Sequence, residues 1–154
     1  MVRTGHAAGV LAAAMVAAMA MPARAEVLDA TYRGTMVCEK LPFTKSKARE
    51  AIEVTIAEGA VRYSHVVRLG DAAGPAEAIA EEGTGTLKGN DLSLKGAWKG
   101  GGRQYEAEYS GTFVRRSAKL KGTQTWTVAS KTFARVCTGA IKRPLKAFLP
   151  RKKT

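Results

Sequence analysis

The sequence predicts an all-β domain of about eight antiparallel strands, arranged as an up-and-down meander or a small β-barrel. After residue 25, apolar and polar residues alternate repeatedly with a period of two, which is typical of strands with one buried and one solvated face. A Gly-Thr dipeptide recurs in these stretches, beginning at Gly34, Gly85, Gly111 and Gly122. Because glycine weakens a strand, its repeated use favours the strongly bent strands of a small barrel.

The first 25 residues have the pattern of a cleavable signal peptide. Residues 7–21 form an apolar run that Pro22 ends, and the Ala-Arg-Ala sequence at 23–25 matches a signal-peptidase site. The run has 15 residues, whereas a membrane-spanning helix needs about 20. A short buried helix or an uncleaved anchor is the alternative. We expect cleavage before Glu26, a periplasmic or secreted location, and no transmembrane span in the mature chain.

Residues 26–141 are predicted to form a single β domain, in which each strand is recognised by its alternation. Ile52, Val54 and Ile56 alternate with polar residues, for example, and turn signals at residues 89–91, 100–102, 115–117 and 130–131 separate strands. Two connections are longer: residues 39–49 could contain a helical turn, and residues 70–76 contain a Gly-Pro pair. The eight predicted strands are 31–38, 52–56, 61–69, 79–88, 92–99, 104–113, 119–128 and 133–141.

Cys38 and Cys137 are the only cysteines of the chain. In an exported protein an isolated pair most often forms a disulfide, although two free buried thiols are the alternative. Cys38 ends the first predicted strand and Cys137 lies in the last. A disulfide between them would join the two strands that become neighbours when a barrel closes, but an open sandwich could also join them.

Several stretches resemble a group of exported bacterial proteins of similar size that have no known activity. The similar stretches are Tyr32–Thr44 (YRGTMVCEKLPFT), residues 109–112 (YSGT), 122–126 (GTQTW) and 137–138 (CT). This resemblance implies export and a shared fold, and no activity. In strand order alone, the chain also resembles eight-stranded ligand-binding barrels such as lipocalins and avidins, and that likeness implies architecture without function. The Gly-x-Trp opening of lipocalins and the biotin-site pattern of avidins do not occur.

The charge of the chain is one-sided along the sequence. The chain has 25 Lys and Arg against 13 Asp and Glu, and no acidic residue follows Glu108. Residues 109–154 therefore hold twelve cations, Arg135 among them, without an acid. This favours an anionic envelope partner, such as a lipid or a cell-wall polymer, over nucleic acid; charge that serves solubility alone is the alternative. The predicted anion-binding residues are Arg115, Arg116, Lys119, Lys121, Lys142, Arg143, Lys146, Arg151, Lys152 and Lys153.

Residues 142–154 are predicted to form a basic C-terminal tail. They carry six of the predicted anion-binding cations and no acid, and Pro144 and Pro150 interrupt any long helix. We expect this segment to act as an arm that contacts the anionic partner.

A second candidate site consists of aromatic and polar residues on the inward face of the predicted strands. These residues either fill the core of a small barrel or line a mouth that takes a small apolar ligand, which Gln124 would orient. A third hypothesis, an inhibitor of lysozyme-like enzymes, fits poorly because those enzymes are usually basic. The predicted pocket residues are Tyr63, His65, Trp98, Tyr105, Tyr109, Gln124 and Trp126.

The sequence gives little support for an enzyme, a metal site or a cofactor. His65 is the only histidine of the mature chain, and a satisfied interior histidine explains it better than a general base. One histidine and two oxidised cysteines leave no metal-ligand set. Glu106 and Glu108 lie on one outward strand face, where solvated side chains are expected. No nucleophile elbow, phosphate-binding loop or zinc signature occurs. We therefore expect a binding protein of undetermined oligomeric state.

Overall fold

The computed structural model describes residues 28–69 and 77–144, which form a closed barrel of eight antiparallel strands. Each strand pairs with the next along the chain, and the last pairs with the first. The predicted fold class is confirmed, and the barrel is closed. None of the described segments is a helix that could cross a membrane. The strands are β1 Ala30–Cys38, β2 Ala48–Ala57, β3 Ala60–Leu69, β4 Glu77–Lys88, β5 Asp91–Gly100, β6 Arg103–Val114, β7 Ser117–Val128 and β8 Lys131–Lys142.

Tight hairpin turns connect most of the strands. The turns at Glu58-Gly59, Gly101-Gly102 and Ala129-Ser130 have positive φ at both residues, the backbone conformation that matches the twist of paired strands. Side chains in each strand then alternate between the interior and solvent, as the period of two predicts.

The connection between β1 and β2 covers residues 39–47 and defines what we call the loop end of the barrel. It is shorter than the predicted connection 39–49, because Ala48 and Arg49 already pair with β1. It contains no helical turn. Leu41 is buried in the core. The ring of Phe43 lies edge-on to Trp126, with centroids 6.1 Å apart. The connection therefore packs against the interior at the loop end.

The seam between β8 and β1 closes the barrel. Cys38 and Cys137 are directly opposite each other and form a disulfide with an S–S distance of 1.99 Å. Gly34 faces the backbone oxygen of Ala140 so closely that a Cβ atom at Gly34 would collide with it. The predicted disulfide is confirmed, and this recurrent glycine serves close backbone approach at the seam.

The interior is divided into two halves. Toward the opposite end, which carries the β6–β7 turn and the end of β8, the core is apolar and includes Leu92, Phe113, Leu120 and Ile141. We call this the basic end, because Arg115, Arg116, Lys142 and Arg143 lie there. Toward the loop end, five polar or charged side chains are buried: Glu50, His65, Glu81, Gln124 and Arg135.

The predicted signal peptide lies outside the described residues, as do the connection 70–76 and tail residues 145–154.

Candidate functional sites: a buried charge chain and a basic barrel end

Glu81 on β4 is the central acceptor of the polar interior. Its Oε1 accepts a hydrogen bond from the Tyr63 hydroxyl. Its Oε2 accepts bonds from Tyr105 at 2.7 Å and Tyr109 at 3.3 Å, and His65 Nδ1 lies 3.2 Å from the same oxygen. Burial and the neighbouring carboxylate raise the pKa of all three tyrosine hydroxyls far above their usual range. The tyrosines therefore stay protonated and act as donors to Glu81.

His65 on β3 lies between two carboxylates. Its Nδ1 faces Glu81, and its Nε2 lies 3.2 Å from Glu50 Oε2. This distance is that of an ion pair, but the two groups are not aligned as a hydrogen bond requires. A neutral imidazole has one N–H and would turn a lone pair toward one of the carboxylates. Burial by itself lowers the pKa of His65, but the contacts with Glu50 and Glu81 outweigh it and raise that pKa above its ordinary value. The surroundings thus favour the imidazolium form.

Arg135 on β8 completes the row of charges. Its Nη2 lies 3.6 Å from Glu50 Oε2, and its Cζ lies 5.6 Å from the centroid of the Trp126 ring. Its Nε donates to Gln124 Oε1 at 2.7 Å, and Trp126 Nε1 donates to the same oxygen at 3.1 Å. Gln124 Nε2 in turn donates to the Tyr109 hydroxyl at 2.7 Å. These partners fix the orientation of the Gln124 amide.

Together, Glu81, His65, Glu50 and Arg135 form a row of alternating negative and positive groups, which we call the charge chain. Its members come from β4, β3, β2 and β8. The chain is neutral when His65 is protonated, which reduces the cost of burying four ionisable groups. A buried cluster of interacting titratable groups is a candidate functional site on physical grounds.

Three members of the charge chain were not among the predicted site residues. From the sequence, Arg135 is one of the cations of the basic C-terminal third, but in the structure it is 3% exposed and its side chain lies inside the barrel. The alternation of buried and exposed positions along each strand could have predicted that all three side chains point inward. Glu81 follows buried Ile79 by two positions, Arg135 precedes Cys137 by two, and Glu50 precedes a buried alternating row by two.

The predicted pocket residues all point into the loop-end half of the barrel. Trp98, Tyr105, Trp126 and Phe133 are directly opposite one another on four successive strands. The rings of Tyr105 and Trp126 stack with centroids 4.4 Å apart, and Trp98 is half-buried at the rim. The inward orientation is confirmed, and the interpretation of these residues as a ligand pocket stays a prediction.

The basic end brings together four of the predicted anion-binding residues. Arg115 and Arg116 lie in the β6–β7 turn, next to Lys142 and Arg143, around a surface depression of about 880 Å³. The Arg143 N–H donates to the Arg116 carbonyl at 2.9 Å and ties the end of the barrel to the turn. Val114, whose side chain is 69% exposed, lies in the same depression.

The cations of the basic end differ from three other surface cations of the barrel, Arg33, Lys47 and Lys95, in having no acidic partner. Arg33 pairs with Glu53 at 2.6 Å, and Lys95 pairs with Glu108 at 2.7 Å. Within residues 28–69 and 77–144, no carboxylate forms an ion pair with the six described anion-binding candidates. These six are Arg115, Arg116, Lys119, Lys121, Lys142 and Arg143; Lys146, Arg151, Lys152 and Lys153 lie outside the described residues.

The remaining predicted carboxylates lie on the surface. Glu106 and Glu108 are exposed, as predicted for a solvated strand face. Across the two described stretches of chain, no group of three or more His, Cys, Asp or Glu is arranged to hold a metal ion.

These features define a small up-and-down β-barrel that has a buried charge chain near its loop end and unpaired cations at its basic end. The comparison with protein-family models found no match, and the comparisons with curated proteins and with solved structures found none either.

Proposed function

We propose that this protein is an exported binding protein whose basic end attaches to an anionic component of the cell envelope. The observation that carries the proposal is the set of six described cations without acidic partners, four of which surround one depression. Cations that lack an intramolecular partner are free to contact an external anion. The exposed Val114 supplies an apolar contact among them.

The strength of such binding follows from the number of cations. Each Lys or Arg near an anionic membrane contributes about 1 kcal/mol, and the attraction falls within a Debye length. Residues 145–154 continue the chain from Pro144 at the basic end and carry four more cations. The tail therefore adds four cations to those of the barrel end, and we expect their contributions to binding to add to one another.

The test compares vesicles that contain anionic phosphatidylglycerol with vesicles of neutral phosphatidylcholine. The full chain is expected to bind only the anionic vesicles, with an affinity that falls steeply with salt. Replacing Arg116 and Lys142 by Gln should weaken binding about 30-fold, because two cations contribute about 2 kcal/mol. A chain that ends after Pro144 should also bind more weakly, and it retains the Arg143–Arg116 hydrogen bond.

The matched control replaces Lys47 and Lys95 by Gln, which removes the same charge from cations that already have acidic partners. This control should change vesicle affinity less than the Arg116 and Lys142 variant does. Equal losses in the two double variants would show a non-specific effect of net charge and would contradict a docking surface at the basic end.

A carrier of a small apolar ligand is the second candidate function. The observation that favours it is the aromatic row of Trp98, Tyr105, Trp126 and Phe133 beneath the connection 39–47. A neutral planar probe, N-phenyl-1-naphthylamine, should then bind with an affinity that is unchanged by about 0.5 M salt, which screens only charge. Trp98→Ala should abolish that binding, and truncation after Pro144 should not.

A further inference from the structure

The wall of the barrel is incomplete between β2 and β3 near the loop end. The register of these strands ends at the pair Ile52–His65. Beyond it, residues 48–51 pair only with β1 and residues 66–69 pair only with β4. No backbone ladder therefore joins these two stretches, and we call the space between them the β2–β3 gap.

The side chain of Glu50 replaces the missing ladder in the β2–β3 gap. Its Oε1 accepts a hydrogen bond of 3.0 Å from the Arg68 backbone N–H. Its Oε2 faces His65 Nε2 at 3.2 Å and Arg135 Nη2 at 3.6 Å. Glu50 is only 2% exposed, so its carboxylate depends on these partners in place of water.

We propose that the β2–β3 gap is a lateral gate to the polar loop-end interior, and that Glu50 holds the gate closed while His65 carries a proton. The inference does not depend on the proposed function, because it concerns a different end and a different surface of the barrel.

The charges around His65 determine the direction in which the gate responds to pH. Glu50 faces its ring from β2, Glu81 from β4 and the Tyr109 hydroxyl from β6, and Arg135 approaches Glu50 from β8. When His65 loses its proton, the charge chain keeps two carboxylates and one cation and acquires a net negative charge. One of the two carboxylates then faces an imidazole lone pair, and Glu50 keeps Arg135 as its single cationic partner.

The gate is consequently closed at the lower pH, where His65 is protonated, and it opens as pH rises. The two carboxylates raise the pKa of His65 above its ordinary value in spite of its burial, so the protonated and closed state extends to higher pH than it would for an unperturbed histidine. Tyr63 and Tyr105 also donate to Glu81 and remain protonated when the gate opens.

The test measures the hydrogen-exchange protection of the Arg68 amide in the whole protein between about pH 6 and pH 9, with each rate divided by its intrinsic rate. Protection should fall by up to about tenfold per pH unit as pH rises from the ordinary histidine pKa of about 6.5 to the midpoint at which His65 loses its proton, as followed by NMR of its ring, and should level off above that midpoint. Amides in the β6–β7 ladder should keep their protection. The gate is disproved if Arg68 protection stays constant, or if it changes with a midpoint that His65 does not share.

The Glu50→Gln variant tests the negative charge of the side chain that holds the gate closed. Glutamine retains an oxygen that can accept from the Arg68 N–H, but it no longer favours the imidazolium form. The His65 midpoint and the Arg68 opening should therefore both shift to lower pH. Glu53→Gln, on the same strand and at the surface, is the matched control and should shift neither. If Glu50→Gln leaves the Arg68 midpoint in place, the proposal is wrong; if that variant does not fold, the titration of the unaltered protein decides.

Discussion

More buried side-chain donors of the described barrel converge on Glu81 than on any other residue. Three tyrosine hydroxyls and His65 Nδ1 lie against its carboxylate, and each needs that acceptor because none can reach water. Removing one partner of a buried charge network typically costs about 3–5 kcal/mol. We therefore expect Glu81→Gln to lower the free energy of unfolding by about that amount in urea titrations at pH 7.

The neighbouring residue supplies the control for this prediction. Glu82 is exposed on the opposite face of β4, and Glu82→Gln should change the free energy of unfolding by no more than about 0.5 kcal/mol. Similar losses at both positions would mean that the hydrogen bonds to Glu81 do not stabilise the fold.

His65 makes the stability of the barrel depend on pH. Its pKa in the folded protein is raised above the unfolded value of about 6.5. The stabilisation that this shift provides is complete below the unfolded pKa and is lost as pH rises through the folded pKa. The difference in free energy of unfolding between the unaltered protein and His65→Gln, measured by chemical denaturation from about pH 6 to pH 9, should therefore decrease with pH. A difference that grows over this range would contradict a proton-stabilised His65.

At the scale of secondary-structure elements, the β8–β1 seam is the closing contact of the barrel. Its paired segment runs from Arg33–Lys142 to the disulfide at Cys38–Cys137, so the covalent bond lies at the loop-end limit of the seam. The two cysteines are separated by 99 residues, and on the chain-entropy account a disulfide that closes so long a loop stabilises by about 4–5 kcal/mol.

Replacing both cysteines by Ser should lower the free energy of unfolding by about 2–5 kcal/mol and leave the far-ultraviolet circular dichroism of the strands unchanged. The backbone pairing of β1 with β8 does not require the sulfur atoms, and this is why the spectrum should persist. Chemical denaturation measures the loss, with the reduced unaltered protein as the comparison. A double variant as stable as the oxidised protein would show that the disulfide adds nothing to closure.

At the scale of the whole molecule, the two candidate sites lie at opposite ends of the barrel. β1 begins and β8 ends at the basic end, where the chain continues toward both termini. If the basic end binds an anionic surface, the loop end and the β2–β3 gap are directed away from that surface. The arrangement allows attachment and opening of the gate to occur in the same molecule without mutual obstruction.

Maturation is a prediction about the whole chain. The protein recovered from the periplasm should begin at Glu26 and contain no free thiol, because Cys38 and Cys137 form a disulfide. Cleavage before Glu26 would keep Leu28, whose carbonyl accepts a hydrogen bond of 2.8 Å from the Tyr32 hydroxyl. Intact mass spectrometry after alkylation without reduction measures both properties. Recovery of a chain that starts at Met1, or of one with two alkylated cysteines, would contradict the prediction.

Much of the fold could be predicted because alternation is a local property of the sequence. A period of two determines which face of a strand each side chain occupies, and it placed His65, Tyr105 and Gln124 inside before their partners were known. The disulfide was predictable from the position of Cys38 and Cys137 in the first and last strands. The bounds of the connection 39–47 were less predictable, because Ala48 and Arg49 become part of β2 only through pairing with β1.

The sequence by itself thus determined the eight strands, their inward faces, the cysteine pair and the cationic C-terminal third. The tertiary structure decided which charges meet. Glu50, His65, Glu81 and Arg135 lie on four different strands, and alternation says nothing about the level that each side chain reaches along the barrel axis. That level is set by strand register and by barrel closure, which depend on backbone pairing between residues far apart in the chain. For the same reason Arg135 could be counted as a surface cation from the sequence, and only the closed barrel places it beside Glu50.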